Sequence, residues 1–464
     1  MGRFDSKRKI ASEITITETN RTEKLTYIGS GMNCIAYHTG SENIIKEFAP
    51  LIKIDNEYVN VMERKNGPNS ELVPMDDLSS FYLDLIAERR MAFDSEIAII
   101  EELNRRYHSD RDNMFLIPQD VDTTLGRCQW CNYVGGQTLE TVFAESRKKS
   151  AGNFQQHFLN VLPFIISLYD EIALYHGECD ESHYGILNLD VKPENLFAIK
   201  SQGDYIGIRN LDFGSARIIE DEKKGEDVVR PGLITQIREF ASKHNYSMLT
   251  LSDERIDQIA TKFFISSPGF YDRDRVSAII RKCLDSGKSN ESIISDLKTL
   301  DILAAWKTFL FALSESGDAF VTGNISNIDE KNSLYREFSD IFEENRLTKH
   351  HSLFESYNIY TYLYEIMART LDGGVRYRLS ASEIANRLRN VFCIFSGVPD
   401  NKKTAEQQRF EDMNRIYSRK DGLLKSHGIE NIKDILEFCK ANGLHEHELP
   451  GDLHWFLICG KKHS

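Results

Sequence analysis

The chain has 464 residues, enough for roughly two to four domains and for a core that needs no disulfide or metal staple. Apolar residues make up 41% and charged residues 28%, as in an ordinary globular protein. Acidic residues outnumber basic ones by 71 to 57, and the resulting charge of −14 repels phosphate backbones and speaks against general nucleic-acid binding. No run approaches the roughly 18 uninterrupted apolar residues of a transmembrane helix. Eight scattered cysteines point to a reducing compartment, not to a secreted disulfide scaffold.

The opening M-G-R-F-D-S-K-R-K has no apolar signal-peptide core, and residues 1–23 read as a flexible basic tail. Gly2 and Ser6 fit the bare acylation pattern, but the charged Arg3 beside the glycine argues against it. From Lys24, the run L-T-Y-I-G-S-G-M-N-C-I-A-Y-H-T-G-S-E-N-I-I-K-E-F predicts three strands separated by glycine and polar turns. Residues 49–80 contain N-G-P-N-S and read as an insertion or mobile loop, followed by an amphipathic helix from Phe81 to Asn104. Strand-like runs return between Phe115 and Val134. The C-Q-W-C of Cys128 and Cys131 has no second half for a metal site, so these read as two small strand residues.

From Phe154 the pattern is helical. F-L-N-V-L-P-F-I-I-S-L-Y-D-E-I-A-L-Y-H is too long and apolar for a surface element and predicts a core helix. Further helices are expected around Leu300–Leu313, Tyr357–Leu371 and Ala381–Val391. After the polar break S-G-V-P-D-N-K-K-T comes a helical extension over 396–464. Its apolar stripes are Phe410, Met413 and Tyr417, then Ile432, Ile435, Leu436 and Cys439. The histidines of L-H-E-H-E-L-P-G-D-L-H lack ligand spacing and read as loop residues. A small β-rich part followed by a large helical part indicates a two-lobed α+β enzyme.

Two groups of residues carry chemistry. In G-S-G-M-N-C-I-A-Y, Gly29 and Gly31 let backbone amides approach phosphates that any Cβ would push away. Ten residues past Ala36, Lys46 lies in a strand built from Ile44, Ile45 and Phe48, where its ammonium needs a counter-charge or a wet cleft. Further on, Asp190, Lys192 and Asn195 stand in L-N-L-D-V-K-P-E-N-L-F. A carboxylate, an ammonium and an amide within six residues make a compact site for a hydroxyl and a phosphate. Asp212 follows in N-L-D-F-G-S-A-R and can complete a Mg²⁺ shell with the Asn195 oxygen. D-S-G-K-S, ending at Ser289, lacks the first glycine of a P-loop and reads as a solvated loop.

D-x-K-P-E-N followed by D-F-G resembles the protein kinase superfamily, and the resemblance runs from about Leu25 to Arg389. It implies a two-lobed kinase-like fold, with a β-rich N-lobe over 24–136, a helical C-lobe over 137–395 and the extension beyond. It implies ATP and Mg²⁺ as cofactors. Gly29, Ser30, Gly31 and Ala36 would lie over the nucleotide, and Lys46 would contact its phosphates and pair with Glu96. Cys131 would be the gatekeeper, and backbone groups of Asn132 and Val134 would read adenine. Asp190 would be the catalytic base, Lys192 would steady the γ-phosphate, and Asn195 and Asp212 would hold the metal. Ser267 would bond the base and the lysine, Asp274 would pair with Arg378, and Asp301 would brace the catalytic loop.

The chain departs from that pattern at Cys34 for the third loop glycine, at Asn188-Leu189 for the usual His-Arg, and at Arg273 for a proline. The span from Asp212 to Asp274 is also unusually long. The function implied is phosphate transfer from ATP to Ser or Thr of protein substrates. A small-molecule kinase and a catalytically weak pseudokinase scaffold are the alternatives. The expected setting is cytoplasmic or, by analogy with divergent bacterial kinases, a host cell entered as a secreted effector. The extension is expected to pack on the helical lobe through its apolar stripes, with docking of a partner as the alternative.

Overall fold

The alternation that begins near Arg21 is realised as antiparallel strands. The protein is seen here in a computed structural model. It describes residues 13–16, 21–30, 34–39, 43–54, 57–62, 73–74, helical positions between 83 and 103, 119–123, 126–132, 136–150, 152–178, 185–201, 204–210, 212–224, 227–264, 270, 272–314, 341, 363, 366–370, 378–395 and 440.

Strands β1 (Glu13–Ile16), β2 (Arg21–Ser30), β3 (Cys34–Thr39) and β4 (Asn43–Phe48) come first. β5 (Leu51–Ile54), β6 (Glu57–Met62) and β7 (Val73–Pro74) follow, then β8 (Gln119–Thr123) and β9 (Gly126–Asn132). A closed barrel runs in the order β1-β2-β3-β4-β9-β8 and shuts through the Ile16–Thr123 pair, which removes the edges an open sheet would expose. Its core holds Leu25, Ile35, Tyr37, Ile45 and Ala49. Two sequence expectations change here. β1 lies within the stretch read as a tail, and the stretch read as a loop contains the three-stranded sheet β5-β6-β7. The alternation in E-Y-V-N-V-M is the strand signal that the neighbouring turn residues obscured.

Helical positions between 83 and 103 form α1. Then come β10 (Gly136–Thr138), α2 (Leu139–Ser150) and α3 (Phe154–Tyr175). Gly136 has to be glycine, because a Cβ there would sit 2.1 Å from the carbonyl oxygen of Ala198. By length and composition α3 could cross a membrane, but here it is a core helix, buried against α2, α7 (Asn290–Leu313) and α8 (Ala381–Phe395). Tyr169 of α3 packs on Trp306 of α7 with ring centroids 5.6 Å apart. Arg147 of α2 and His157 of α3 close the C-terminal end of α7 by bonding the Ala312 carbonyl at 3.1 and 2.7 Å.

Between α3 and α7 lie β11 (Ile186–Leu187), β12 (Leu196–Ser201), β13 (Asp204–Asn210), β14 (Arg217–Ile218), β15 (Glu222–Lys224) and β16 (Asp227–Arg230). Helices α4 (Leu233–Lys243), α5 (Asp253–Phe263) and α6 (Arg273–Leu284) complete the interval. Ser252 and Asp272 cap α5 and α6 by accepting the amides of Arg255 and Arg275. The apolar faces of α4, α5 and α6 meet the first half of α7 in a second core that also takes in Leu187, Leu189 and Ile219. The whole is a mixed α/β structure, rich in helix with small, mostly antiparallel sheets. Of the expected extension over 396–464, only Lys440 lies among the described residues.

Candidate active site

Across the barrel wall, Gly29 pairs with Ala36 and Ala36 with Lys46, setting the three side by side on β2, β3 and β4. β3 alternates strictly, with Ile35, Tyr37 and Thr39 buried. On β4, Ile45 and Glu47 are buried, and the Glu47 carboxylate accepts the Tyr37 hydroxyl at 2.9 Å. Lys46 and Phe48 therefore point to the other face. There Phe48 meets Phe93 of α1 at 5.3 Å between ring centroids, and Lys46 Nζ reaches Glu96 Oε1 at 2.7 Å. Phe93 and Glu96 are three residues apart, so one helix face supplies both the apolar seat and the counter-charge. The side chain of Glu96 is only 3% exposed. Burial pushes its pKa up, Lys46 opposes the rise, and the charge of Asp212 adds to it. Glu96 Oε1 also accepts the Phe213 amide at 3.2 Å, which ties the strand lysine to the start of D-F-G. The Phe213 ring fills a small core between α1 and the end of α3, edge-on to Tyr175 at 5.4 Å.

The second constellation is set by two strand pairs. β11 pairs with β14, and β12 with β13 such that Leu196 faces Asn210. Asn195 precedes one strand of that hairpin and Asp212 follows the other, so both stand at the same end. Asp190 Oδ2 accepts Lys192 Nζ at 2.9 Å and Asn195 Nδ2 at 2.7 Å. Asn195 Nδ2 also reaches the Asp190 carbonyl at 3.1 Å. Two donors on one oxygen fix the plane of the Asp190 carboxylate.

Behind this loop stands Asp301, fully buried in α7. Its carboxylate accepts the amides of Asn188 and Leu189 at 2.8 and 2.9 Å and faces His176 Nε2 at 3.1 Å. Leu189 is left-handed, with φ of 66°, a conformation costing an L-residue of this bulk about 1–3 kcal/mol. The other ring nitrogen of His176 lies 3.8 Å from Glu178, which in turn accepts the amides of Ala381 and Ser382 at the start of α8. Burial disfavours the His176 charge, but Asp301 and Glu178 outweigh it and raise the ring's pKa. Burial likewise opposes the Glu178 charge, yet His176 and the two amides lower its pKa to about 2.

The oxygens of Asn195 and Asp212 suit a magnesium ion. Both amide hydrogens of Asn195 point at Asp190, which leaves its Oδ1 as an oxygen ligand. Asp212 Oδ1 accepts the Gly214 amide at 2.9 Å, and no hydrogen bond to Oδ2 exists among the described residues. Magnesium takes oxygen ligands and usually keeps few from protein. Among the described residues no three His, Cys, Asp or Glu side chains converge as a self-sufficient metal site.

The structure thus brings Lys46 to Glu96, and Asp190 to Lys192 and Asn195, with Ala36 and the backbone of Gly29 and Ser30 on strands beside the lysine. Backbone positions of Cys131 and Asn132 fall on β9, paired with Ile44 and Asn43. Gly31, Val134 and Ser267 lie outside the described residues. One expectation is overturned. Arg378 does not pair with Asp274 but donates to Asp296 Oδ1 and Ser295 Oγ, each at 2.9 Å. Asp272 caps α6, which leaves Asp274 exposed in its first turn, while Lys282 joins Arg378 on the Asp296 carboxylate. Sequence reasoning did not single out His176, Glu178 or Asn210. The one available signal was the repeated Asn-Leu-Asp at 188–190 and 210–212.

No family model matches the chain, and no curated protein matches it significantly. Among solved structures it is similar to the crystal structure of a Toxoplasma gondii specific rhoptry antigen kinase domain. The identity is 11%, the TM-score 0.35, and the match covers 83% of this chain and 86% of that one. A likeness at that level carries no argument, and the functional reading rests on the site.

Proposed function

We propose that the chain is a two-lobed, protein-kinase-like phosphotransferase that moves the γ-phosphate of ATP to Ser or Thr hydroxyls of protein substrates. The observation that supports it most is the Glu96 carboxylate. It holds Lys46 at 2.7 Å and the Phe213 amide at 3.2 Å, so the phosphate-contacting lysine and the metal-binding segment share one buried anchor. Asn195 and Asp212 would hold Mg²⁺, which when bound neutralises charge on the transferring phosphate. The side chains do the positioning. Lys46 binds phosphate oxygens, with Glu96 holding its ammonium on the face of β4 that meets α1. Asp190 accepts the proton of the attacking hydroxyl, in an orientation set by Lys192 and Asn195. Lys192 lies close enough to the base to offset charge as the phosphate arrives. The reading extends to a reducing setting, cytoplasmic or inside a host cell, and to a partner for residues 396–464.

The test is intact-mass analysis after incubation with Mg·ATP and a generic protein substrate, wild type beside Asp190→Ala. Phosphate gain that Asp190→Ala abolishes supports the reading. ATP binding without transfer favours the scaffold alternative. Transfer to small hydroxylated molecules alone favours the small-molecule kinase.

A further inference from the structure

The two carboxylates of the site are each preceded by the same tripeptide, Asn188-Leu189-Asp190 and Asn210-Leu211-Asp212. In both, the asparagine side chain performs the same bond. Asn188 Oδ1 accepts the Asp190 amide at 3.0 Å, and Asn210 Oδ1 accepts the Asp212 amide at 3.1 Å. Each asparagine directly follows or ends a short strand, β11 in one case and β13 in the other. Such a side-chain turn imitates a backbone β-turn, with the residue after the asparagine at the second corner. A type II corner needs positive φ there, and Leu189 has 66°.

Both asparagines are buried, at 0% and 6% exposure, and neither Nδ2 has a hydrogen-bond partner among the described residues. A buried donor left unpaired loses its hydration without a replacement bond, a cost that an apolar residue of similar shape would avoid. The amides are therefore a poor choice for stability alone, and their one engaged atom is the oxygen that holds the aspartate amide. The geometry points to Asn188 and Asn210 as paired positioning residues, Asn188 setting the Asp190 carboxylate against the substrate hydroxyl and Asn210 setting the Asp212 carboxylate against the metal. This rests on the phosphotransfer reading of the site.

The two roles separate experimentally. Loss of a positioning bond that lets a reacting group drift by about 1 Å costs on the order of 100-fold in rate. Loss of a group orienting a metal ligand costs about 10–100-fold in metal affinity. Asn188→Ala should lower kcat about 100-fold with the Mg²⁺ requirement and ATP KM unchanged. Asn210→Ala should raise the Mg²⁺ concentration for half-maximal rate at least about tenfold. It should also weaken Mn²⁺·ADP binding, read by electron paramagnetic resonance, with metal-free ADP binding unchanged. Asn188→Ser and Asn210→Ser, which keep an acceptor oxygen, should recover part of each loss and keep the inference testable if an alanine variant fails to fold.

The inference is overturned if both sets of variants match wild type in kcat, Mg²⁺ requirement and Mn²⁺·ADP affinity after correction for folded fraction. It is also overturned if both lose the same parameters to the same extent, as general destabilisation would produce. Asp190→Ala and Asp212→Asn run alongside. If those controls retain full activity, the phosphotransfer reading itself fails. If they lose activity while the asparagine variants are normal, only the positioning roles fail.

Discussion

Replacing Lys46 by Met should cost stability in a way that depends on pH, because it strands a carboxylate that the fold has already buried. In the wild type, Glu96 sits at 3% exposure with Lys46 at 2.7 Å and the Phe213 amide at 3.2 Å. Removing one partner of a buried pair costs about 3–5 kcal/mol. The carboxyl has an escape, which is to take up a proton. Its ordinary pKa is 4.5, so neutralisation at about pH 7 spans about 2.5 pH units at ~1.4 kcal/mol each, an upper bound of ~3.4 kcal/mol. At about pH 5.5 the same route costs only ~1.4 kcal/mol. The sign follows from linkage: the folded variant holds a proton that the unfolded chain releases above 4.5, so stability falls as pH rises.

Urea unfolding of wild type and Lys46→Met at the two pH values reads the difference directly. The deficit should shrink at the lower pH, and Lys46→Met/Glu96→Gln should show a deficit independent of pH. Phosphotransfer should be lost in both variants. A single-variant deficit that is flat in pH, or one that persists unchanged after Glu96→Gln, would refute the buried-pair reasoning. Near wild-type transfer rates would remove Lys46 from the site.

Asp212→Asn should fold, since an amide oxygen can still accept the Gly214 hydrogen, yet lose phosphotransfer by several orders of magnitude in an intact-mass assay. Glu178 has its pKa lowered to about 2, so its stabilisation is present above 4.5 and lost as pH falls towards 2. Glu178→Gln should flatten that acid limb, by about 3 kcal/mol in urea titrations. Glu47 is the opposite case: burial in the barrel, only partly offset by the Tyr37 hydroxyl, raises its pKa to about 7. The wild type should lose stability as pH rises from 4.5 through 7, and Glu47→Gln should be the more stable protein above pH 7 and lose its advantage towards pH 4.5. Phosphatase-treated protein should transfer phosphate at its full initial rate without a lag. A reproducible lag removed by phosphorylation between Ser215 and Ser267 would contradict this.

How much of this was legible beforehand depended on whether the decisive contact is local. Asp190, Lys192 and Asn195 lie within six residues, and the bonds among them follow from a single tight loop. Lys46 in an apolar strand announced the need for an anion, but its partner Glu96 came only from the resemblance to protein kinases, since the same segment also carries Asp94, Glu101 and Glu102. The partner of Arg378 was not readable, since Asp274 and Asp296 are both acidic and only the placing of α6 on α7 decides between them. His176 looked like the end of an apolar helix. Its meaning depends on Asp301, 125 positions away, whose carboxylate also accepts the Asn188 amide. Asn210 was visible as half of a repeated tripeptide, but a turn bonded through a side chain leaves no periodicity to detect.

The long interval between Asp212 and Asp301 bears directly on how the site is held. Many protein kinases place an arginine just before the catalytic aspartate to grip a phosphate on the activation segment. On the proposed reading Leu189 occupies that position here, only 7% exposed in the core formed by α4, α5, α6 and the first half of α7. Its left-handed backbone persists only because its surroundings over-determine it. Asp301 takes the amides of Asn188 and Leu189, the Asn188 side chain takes the Asp190 amide, and α4, α5 and α6 enclose the Leu189 side chain. An arginine at this position would have to desolvate its charge in that apolar core. A leucine gains from the same burial, of order 2 kcal/mol for a fully enclosed side chain. On the proposed reading, the free energy that a phosphate–arginine pair would supply comes instead from apolar packing that forms with the fold itself. The loop from Asn188 to Asp190 is then ordered whenever α4, α5 and α6 are folded, and on the proposed phosphotransfer reading no covalent step would stand between folding and a competent Asp190.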